Sequence, residues 1–120
     1  MGEEAQVEHS APACDAALTH AFALLGKRWN GVLLGSLVGG PAGFAELRRA
    51  TGGISDSVLS ERLGELVAAG LVTRVVDEGP PVAVRYQLAP AGAALAPVLD
   101  DLGTWARDHL SRDHPESRRA

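Results

Sequence analysis

Residues Gly52–Val76 read GGISDSVLSERLGELVAAGLVTRVV, and this stretch decides the fold. A glycine turn leads into Ser55, a good N-cap because its hydroxyl can accept from an unpaired N–H of the first helical turn. Ile54 and Leu59 flank that cap at the spacing of a hydrophobic staple. Leu59, Leu63, Leu66 and Val67 recur at intervals of three and four, so one stripe of the helix faces a core. Gly70 stops the helix, and the valine-rich run after it has no helical period. The opposite face offers Asp56, Ser57, Ser60, Glu61 and Arg62. A short helix with a small hydroxyl-bearing front suits entry into a DNA major groove. Taken alone, the segment is equally compatible with an ordinary solvated helix face.

Working outward settles more. From Asp15 to Leu25, the residues Leu18, Ala21, Phe22 and Leu25 mark one face of a first helix. Gly26 breaks it, and Lys27-Arg28-Trp29 is expected to open a second helix through Val38. There Trp29, Leu33 and Leu37 form a stripe that Val32 and Leu34 widen, and Gly39-Gly40-Pro41 ends the helix. A third helix is expected over Phe44–Ala50, with Phe44 and Leu47 inward. Thr51-Gly52-Gly53 would turn it into the Ser55 helix, which makes a helix-turn-helix. After Gly70, LVTRVV and VAVRYQL flank Asp77-Glu78-Gly79-Pro80-Pro81 and predict a β-hairpin. The expected fold is therefore mainly α with a small β-hairpin, a winged helix-turn-helix. A last helix starts near Pro90, a favourable first helical residue, although Ala89 before it is a poor cap. On that helix Leu95, Val98, Leu99, Leu102, Trp105 and Ala106, then His109 and Leu110, make a broad apolar stripe. A three-helix core cannot cover both this stripe and the Leu18/Phe22 face. The expectation is a homodimer built by the N- and C-terminal helices (about 15–25 and 90–110), with Leu18, Phe22, Leu95, Val98, Leu99, Leu102 and Trp105 at its interface.

Composition sets the bounds. The 120 residues form one domain, over about 14–111, between a polar acidic arm (1–13) and a polar tail (112–120). No apolar run approaches the roughly 20 residues needed to cross a bilayer, and the acidic first dozen residues do not resemble a signal peptide. A cytoplasmic protein is expected. A single cysteine excludes an internal disulfide framework. The net charge of −4 is unevenly spread. The first fifteen residues hold four acids and no base, whereas Lys27–Arg85 holds seven bases against six acids. A near-neutral middle permits DNA binding without arguing for it. His9, His20, His109 and His114 have no metal-ligand spacing. Gly26-Lys27 lacks the Ser or Thr and the upstream glycine of a phosphate loop. No nucleophile–base arrangement is readable, so neither an enzyme nor a cofactor or metal is expected.

Six ordered fragments follow Cys14: AFALLGKRWNGVLL (Ala21–Leu34), GPAGFAELRR (Gly40–Arg49), GISDSVLSERLGEL (Gly53–Leu66), AGLVTR (Ala69–Arg74), PPVAVRYQL (Pro80–Leu88) and a closing helix containing Gly92. In this register the chain resembles the HxlR-type winged-helix transcriptional regulators over about Cys14–Trp105. The LGKRWNG stretch is similar to the branch that senses electrophiles and disulfide stress through an N-terminal cysteine. The resemblance implies a dimer on a pseudo-palindromic operator in double-stranded DNA, repression as the expected outcome, and a recognition helix at about 55–69 in the major groove. It implies contacts from Ser55, Ser57, Ser60 and Arg62, phosphate contacts from Lys27, Arg28, Arg48 and Arg49, and Arg74 and Arg85 flanking the wing. Many relatives carry Gln, Lys or Arg where this chain has Asp56 and Ser57, and a basic residue where it has Gly64. The wing tip carries Asp77 and Glu78, which phosphates repel. Position 89 is often Thr.

Cys14, just ahead of the first helix, is the candidate redox-sensing residue. A helix N-terminus favours a thiolate, the neighbouring Asp15 disfavours it, and free cysteines are commonly buried. With one cysteine per chain, modification means a bridge to Cys14 of a second copy, a mixed disulfide or an electrophile adduct. The inducer is thus an oxidant or small electrophile. Two alternatives stand beside this reading: control by a small ligand held at the dimer interface, and a winged-helix protein–protein adaptor.

Overall fold

The computed structural model describes residues 16–110. The arm, Cys14 and the tail lie outside the described residues. Helix α1 spans 16–25, followed by α2 (Asn30–Leu37), β1 (Ala42–Gly43), α3 (Phe44–Thr51), α4 (Asp56–Ala68), β2 (Val72–Asp77), β3 (Ala83–Leu88) and α5 (Pro90–His109). The order is that of a winged helix-turn-helix. Among the described residues no helix is long and apolar enough to cross a membrane.

The α4 element forms as its sequence dictates. The Ser55 hydroxyl accepts from the Val58 N–H at 3.2 Å, and Ile54 and Leu59 are both buried in the same core. At the other end Gly70 takes φ +80°. Its N–H donates to the Val67 carbonyl at 3.0 Å while that of Leu71 donates to Leu66 at 3.0 Å. These two bonds are a Schellman closure, which needs a left-handed residue where glycine sits. Leu59, Leu63 and Leu66 are buried against Leu33, Leu34, Leu37, Leu47, Ile54 and Val72, and these nine residues make the core.

Four sequence expectations need correction. Lys27, Arg28 and Trp29 do not open α2, which begins at Asn30. Trp29 adopts φ 83°, a left-handed conformation at the helix N-cap, and the reversal after Gly26 needs that tight geometry before a helix can restart. Val32 stays on the surface while Leu33, Leu34 and Leu37 are buried, because the α2 stripe is narrower than a count of its apolar residues suggests. Thr51 is the last residue of α3, not part of the turn; Gly52, at φ 75°, caps the helix instead. The hairpin is also part of a larger sheet. Strand order is β1-β3-β2, all antiparallel, with Ala42 opposite Tyr86 and Gly43 opposite Arg85. A two-residue strand has no alternation to read.

The wing and the last helix are locked together at Leu71. Its carbonyl accepts from the Ala89 N–H at 2.9 Å, so α5 starts without a side-chain cap but with that backbone donor satisfied. One turn on, Gly92 is buried. A Cβ there would run into the Leu71 carbonyl oxygen and lie 3.2 Å from Leu88 Cδ2. Replacement of Gly92 by alanine should therefore destabilise the protein by about 1–3 kcal/mol, the usual cost of overpacking. Replacement of the exposed, unobstructed Gly64 of α4 should raise stability by about 0.5–1 kcal/mol. Thermal denaturation at one fixed protein concentration checks both, and equal effects from the two would contradict this packing.

Candidate nucleic-acid interface

With Leu59, Leu63 and Leu66 turned inward, the outer side of α4 is set by helical geometry. Asp56, Ser57, Ser60, Glu61 and Gly64 are all exposed, so the outer surface is polar and free of large apolar side chains along about two and a half turns. The Ser57 hydroxyl lies 3.5 Å from that of Ser55. Because the Ser55 oxygen already serves the helix backbone, Ser57 and Ser60 are the freer hydroxyls of the three.

Arg62 does not share that face. Its side chain is only 20% exposed and its Nη1 lies 3.2 Å from Glu65 Oε2 and 3.8 Å from Glu61 Oε2. Lys27 Nζ reaches the same Glu65 oxygen at 3.1 Å. Glu65 thereby joins the α1–α2 turn to the flank of α4. The Arg62/Glu65 spacing of three on a helix was the available sequence signal, but Lys27 lies 38 positions away and only the fold brings it in. Arg62 Nε and Glu65 Oε1 are buried and find no hydrogen-bond partner among the described residues.

The other bases spread around this centre. Arg48, in the last turn of α3, bonds Asp56 at the start of α4 at 2.7 Å; both side chains are well exposed, 45% and 65%. Arg28 lies over the Trp29 ring, 4.7 Å from its centroid, a cation–π arrangement. Arg85 is 3.9 Å from Asp77 across the wing. Arg49 and Arg74 are exposed and form no ion pair among the described residues. The register separates the two wing arginines: Arg85 pairs with Val75 and Arg74 with Tyr86. Directly paired residues share a face and neighbours along a strand do not, so Arg74 and Arg85 emerge from opposite faces of the hairpin.

A second feature lies away from α4. Leu18, Phe22, Val98, Leu102 and Trp105 are 44–57% exposed, a large apolar surface on α1 and α5. Leu95 and Leu99 instead pack against the core of the same chain. Trp105 stacks on His109 with centroids 5.7 Å apart. Of the twenty residues of α5 only Gly92 is fully buried.

A capped helix-turn-helix with a small polar outer face, followed by a β-hairpin wing that β1 extends to three strands, defines a winged helix-turn-helix protein of the DNA-binding kind. Its sequence matches the HxlR-like helix-turn-helix profile over residues 24–114. The chain belongs to the HxlR-like helix-turn-helix family. It is 43% identical over 86 residues to the HTH-type transcriptional regulator YodB of Bacillus subtilis, covering 72% of this chain and 77% of that protein. The solved reduced form of YodB superimposes with a TM-score of 0.72 at 40% identity over 78% of this chain and 91% of that one. YodB has also been solved diamide-treated and quinone-bound. The redox regulator HypR in its reduced form gives a TM-score of 0.75 at 31% identity, covering 84% and 98%.

Because Ser55 is the cap of α4, Ser55→Ala should lower stability by about 1 kcal/mol, whereas Ser60→Ala should change it by less than about 0.5 kcal/mol. Urea titration of the DNA-free protein checks the contrast, and a neutral Ser55→Ala would remove the hydroxyl from its capping role.

Proposed function

We propose that the protein is a dimeric transcriptional regulator, a repressor, that binds a pseudo-palindromic operator through α4 of each subunit and is released when Cys14 is modified. The observation that carries the DNA reading is the exposed Ser57/Ser60 surface on a helix whose other side is sealed by Leu59, Leu63 and Leu66. Such a front enters a major groove without steric conflict and offers hydroxyls that accept or donate to base edges. Arg28, Arg49 and Arg74 hold phosphates, and Arg48 and Arg85 join them when DNA draws them from their exposed carboxylate partners. Phosphate contacts fix the register while the hydroxyls read sequence.

The apolar surface of α1 and α5 supports the dimer. Patches of this kind on a small domain mark an interface, and a two-fold axis through it would set two α4 helices about 34–36 Å apart, one turn of DNA. Cys14 lies two residues before the described start of α1 in sequence, so a modification there acts next to a helix that carries interface residues Leu18 and Phe22. The diamide-treated and quinone-bound forms of YodB support an oxidant or electrophile as inducer. The second reading, a ligand held at the interface, is favoured by a groove of ≈ 450 Å³ lined by Leu18, Thr19, Phe22 and Ala23. Under that reading the response does not need the thiol.

Fluorescence anisotropy against the DNA upstream of the protein's own gene tests this function. Diamide should weaken binding of the wild type and leave Cys14→Ser bound; an equal response of both proteins favours the ligand reading and rejects the thiol. Leu102→Glu should shift the protein to a monomer in light scattering and lower DNA affinity by at least about tenfold. A dimer that persists with full affinity would place the interface elsewhere.

A further inference from the structure

We propose that Glu65 keeps Arg62 off the DNA. On this view Glu65 is a positioning residue that joins α4 to the α1–α2 turn through Lys27, and Arg62 belongs to that joint, not to the reading surface. The inference rests on α4 being the reading helix.

Two kinds of ion pair lie beside α4, and they differ in solvent access. Arg48 and Asp56 meet at 2.7 Å with both side chains largely in water. Exposed pairs of that kind are weak and screened, so a phosphate competes with the carboxylate at little cost. Arg62 and Glu65 are 20% and 29% exposed, and the Arg62 Nε and Glu65 Oε1 atoms are shielded altogether. Moving Arg62 out to a phosphate would leave the Glu65 carboxylate shielded with half its charge partners gone. Breaking a shielded pair is far more costly than breaking an exposed one.

Lys27 is well placed to hold the other half. Its turn is tied to the end of α1: Trp29 is in the left-handed region, and Asn30, fully buried, donates from Nδ2 to the Leu24 carbonyl at 2.8 Å. The Trp29 ring also reaches the helix-turn-helix loop, where a Cβ on Gly53 would lie 3.6 Å from Cη2. Lys27 and Trp29 therefore brace the two ends of α4 from one short turn. A shift of α1 relative to the core acts on the angle of α4 through these contacts. Glu65 sets how α4 is presented, and the phosphates fall to the arginines that water already reaches.

Salt titration of DNA binding by the full-length reduced protein tests the proposal, because each phosphate neutralised contributes about 0.9 to the slope of log K against log[salt]. The probes are the upstream duplex used above and a random-sequence duplex of equal length. Arg49→Ala should flatten the slope by about 1.8 per dimer, a roughly 12-fold smaller loss of affinity between about 50 and 200 mM salt. Arg62→Ala should lower affinity in parallel at every salt concentration with the slope unchanged. Glu65→Gln, which frees Arg62 and Lys27, should steepen it. If Arg62→Ala flattens the slope as much as Arg49→Ala does, Arg62 contacts phosphate and the proposal is overturned. A DNA-free arm compares the melting temperatures of Lys27→Met, Glu65→Gln and the double variant. The double variant should melt well above the temperature that the two single shifts add up to, and additive shifts overturn the joint whatever DNA does. Coupled melting shifts without wild-type binding to either duplex would instead reject the α4 reading, and with it the claim that Arg62 is withheld from DNA.

Discussion

Burial of Leu59, Leu63 and Leu66 on one side of α4 is the constraint around which the rest of the chain is arranged. These three side chains, with Leu33, Leu34 and Leu37 from α2, Leu47 from α3, Ile54 from the turn and Val72 from β2, are the buried apolar core among the described residues. At roughly 1.5–3 kcal/mol for each fully buried aliphatic side chain, α4 alone supplies about a third of that burial. The helix cannot rotate to present another face without exposing all three leucines. Its outer residues are therefore held in direction as firmly as its inner ones, the preorganisation that the proposed reading surface needs.

The same economy leaves a large apolar surface on α1 and α5 exposed in the single copy. A core of nine residues is small for the described residues 16–110, and the α5 helix of twenty residues contributes little to it beyond Gly92, Leu95 and Leu99. What α5 does instead is dock by its first turn on Leu71 and extend an apolar stripe outward. The Leu71 carbonyl thus links three levels: it follows the Schellman closure of α4, it accepts the N–H of Ala89, the N-cap of α5, and it leaves no room for a side chain at position 92. Through this single peptide the orientation of the α5 apolar stripe is coupled to that of α4.

Much of this was legible in the sequence because it is local. The cap at Ser55, the Ile54/Leu59 pair, the stop at Gly70 and the start at Pro90 each depend on residues within a turn of one another, and the structure has all four. The features that escaped reading are those made by distant partners. Lys27 looks like a free helix-end cation until the fold brings it to Glu65. Gly92 looks like a poor helix residue until Leu71 arrives against it. Ala42–Gly43 becomes a strand only because Tyr86 and Arg85 offer it an edge. Trp29 reads as the first residue of an apolar stripe, whereas the backbone needs it in a left-handed turn. The candidate site residues divide in the same way: the exposure of Ser57 and Ser60 follows from helical period alone, while the partial burial of Arg62 depends on its pairing with Glu65.

The central claim is that one face of α4, held by the leucines behind it, is presented twice, one DNA turn apart, by a two-fold dimer. Hydroxyl-radical footprinting on the upstream duplex measures this most directly. The account predicts two protected segments centred about 10–10.5 base pairs apart on one side of the helix, both lost together when Ser60 is replaced by glutamate. A single protected segment, or two that survive that replacement, would contradict it.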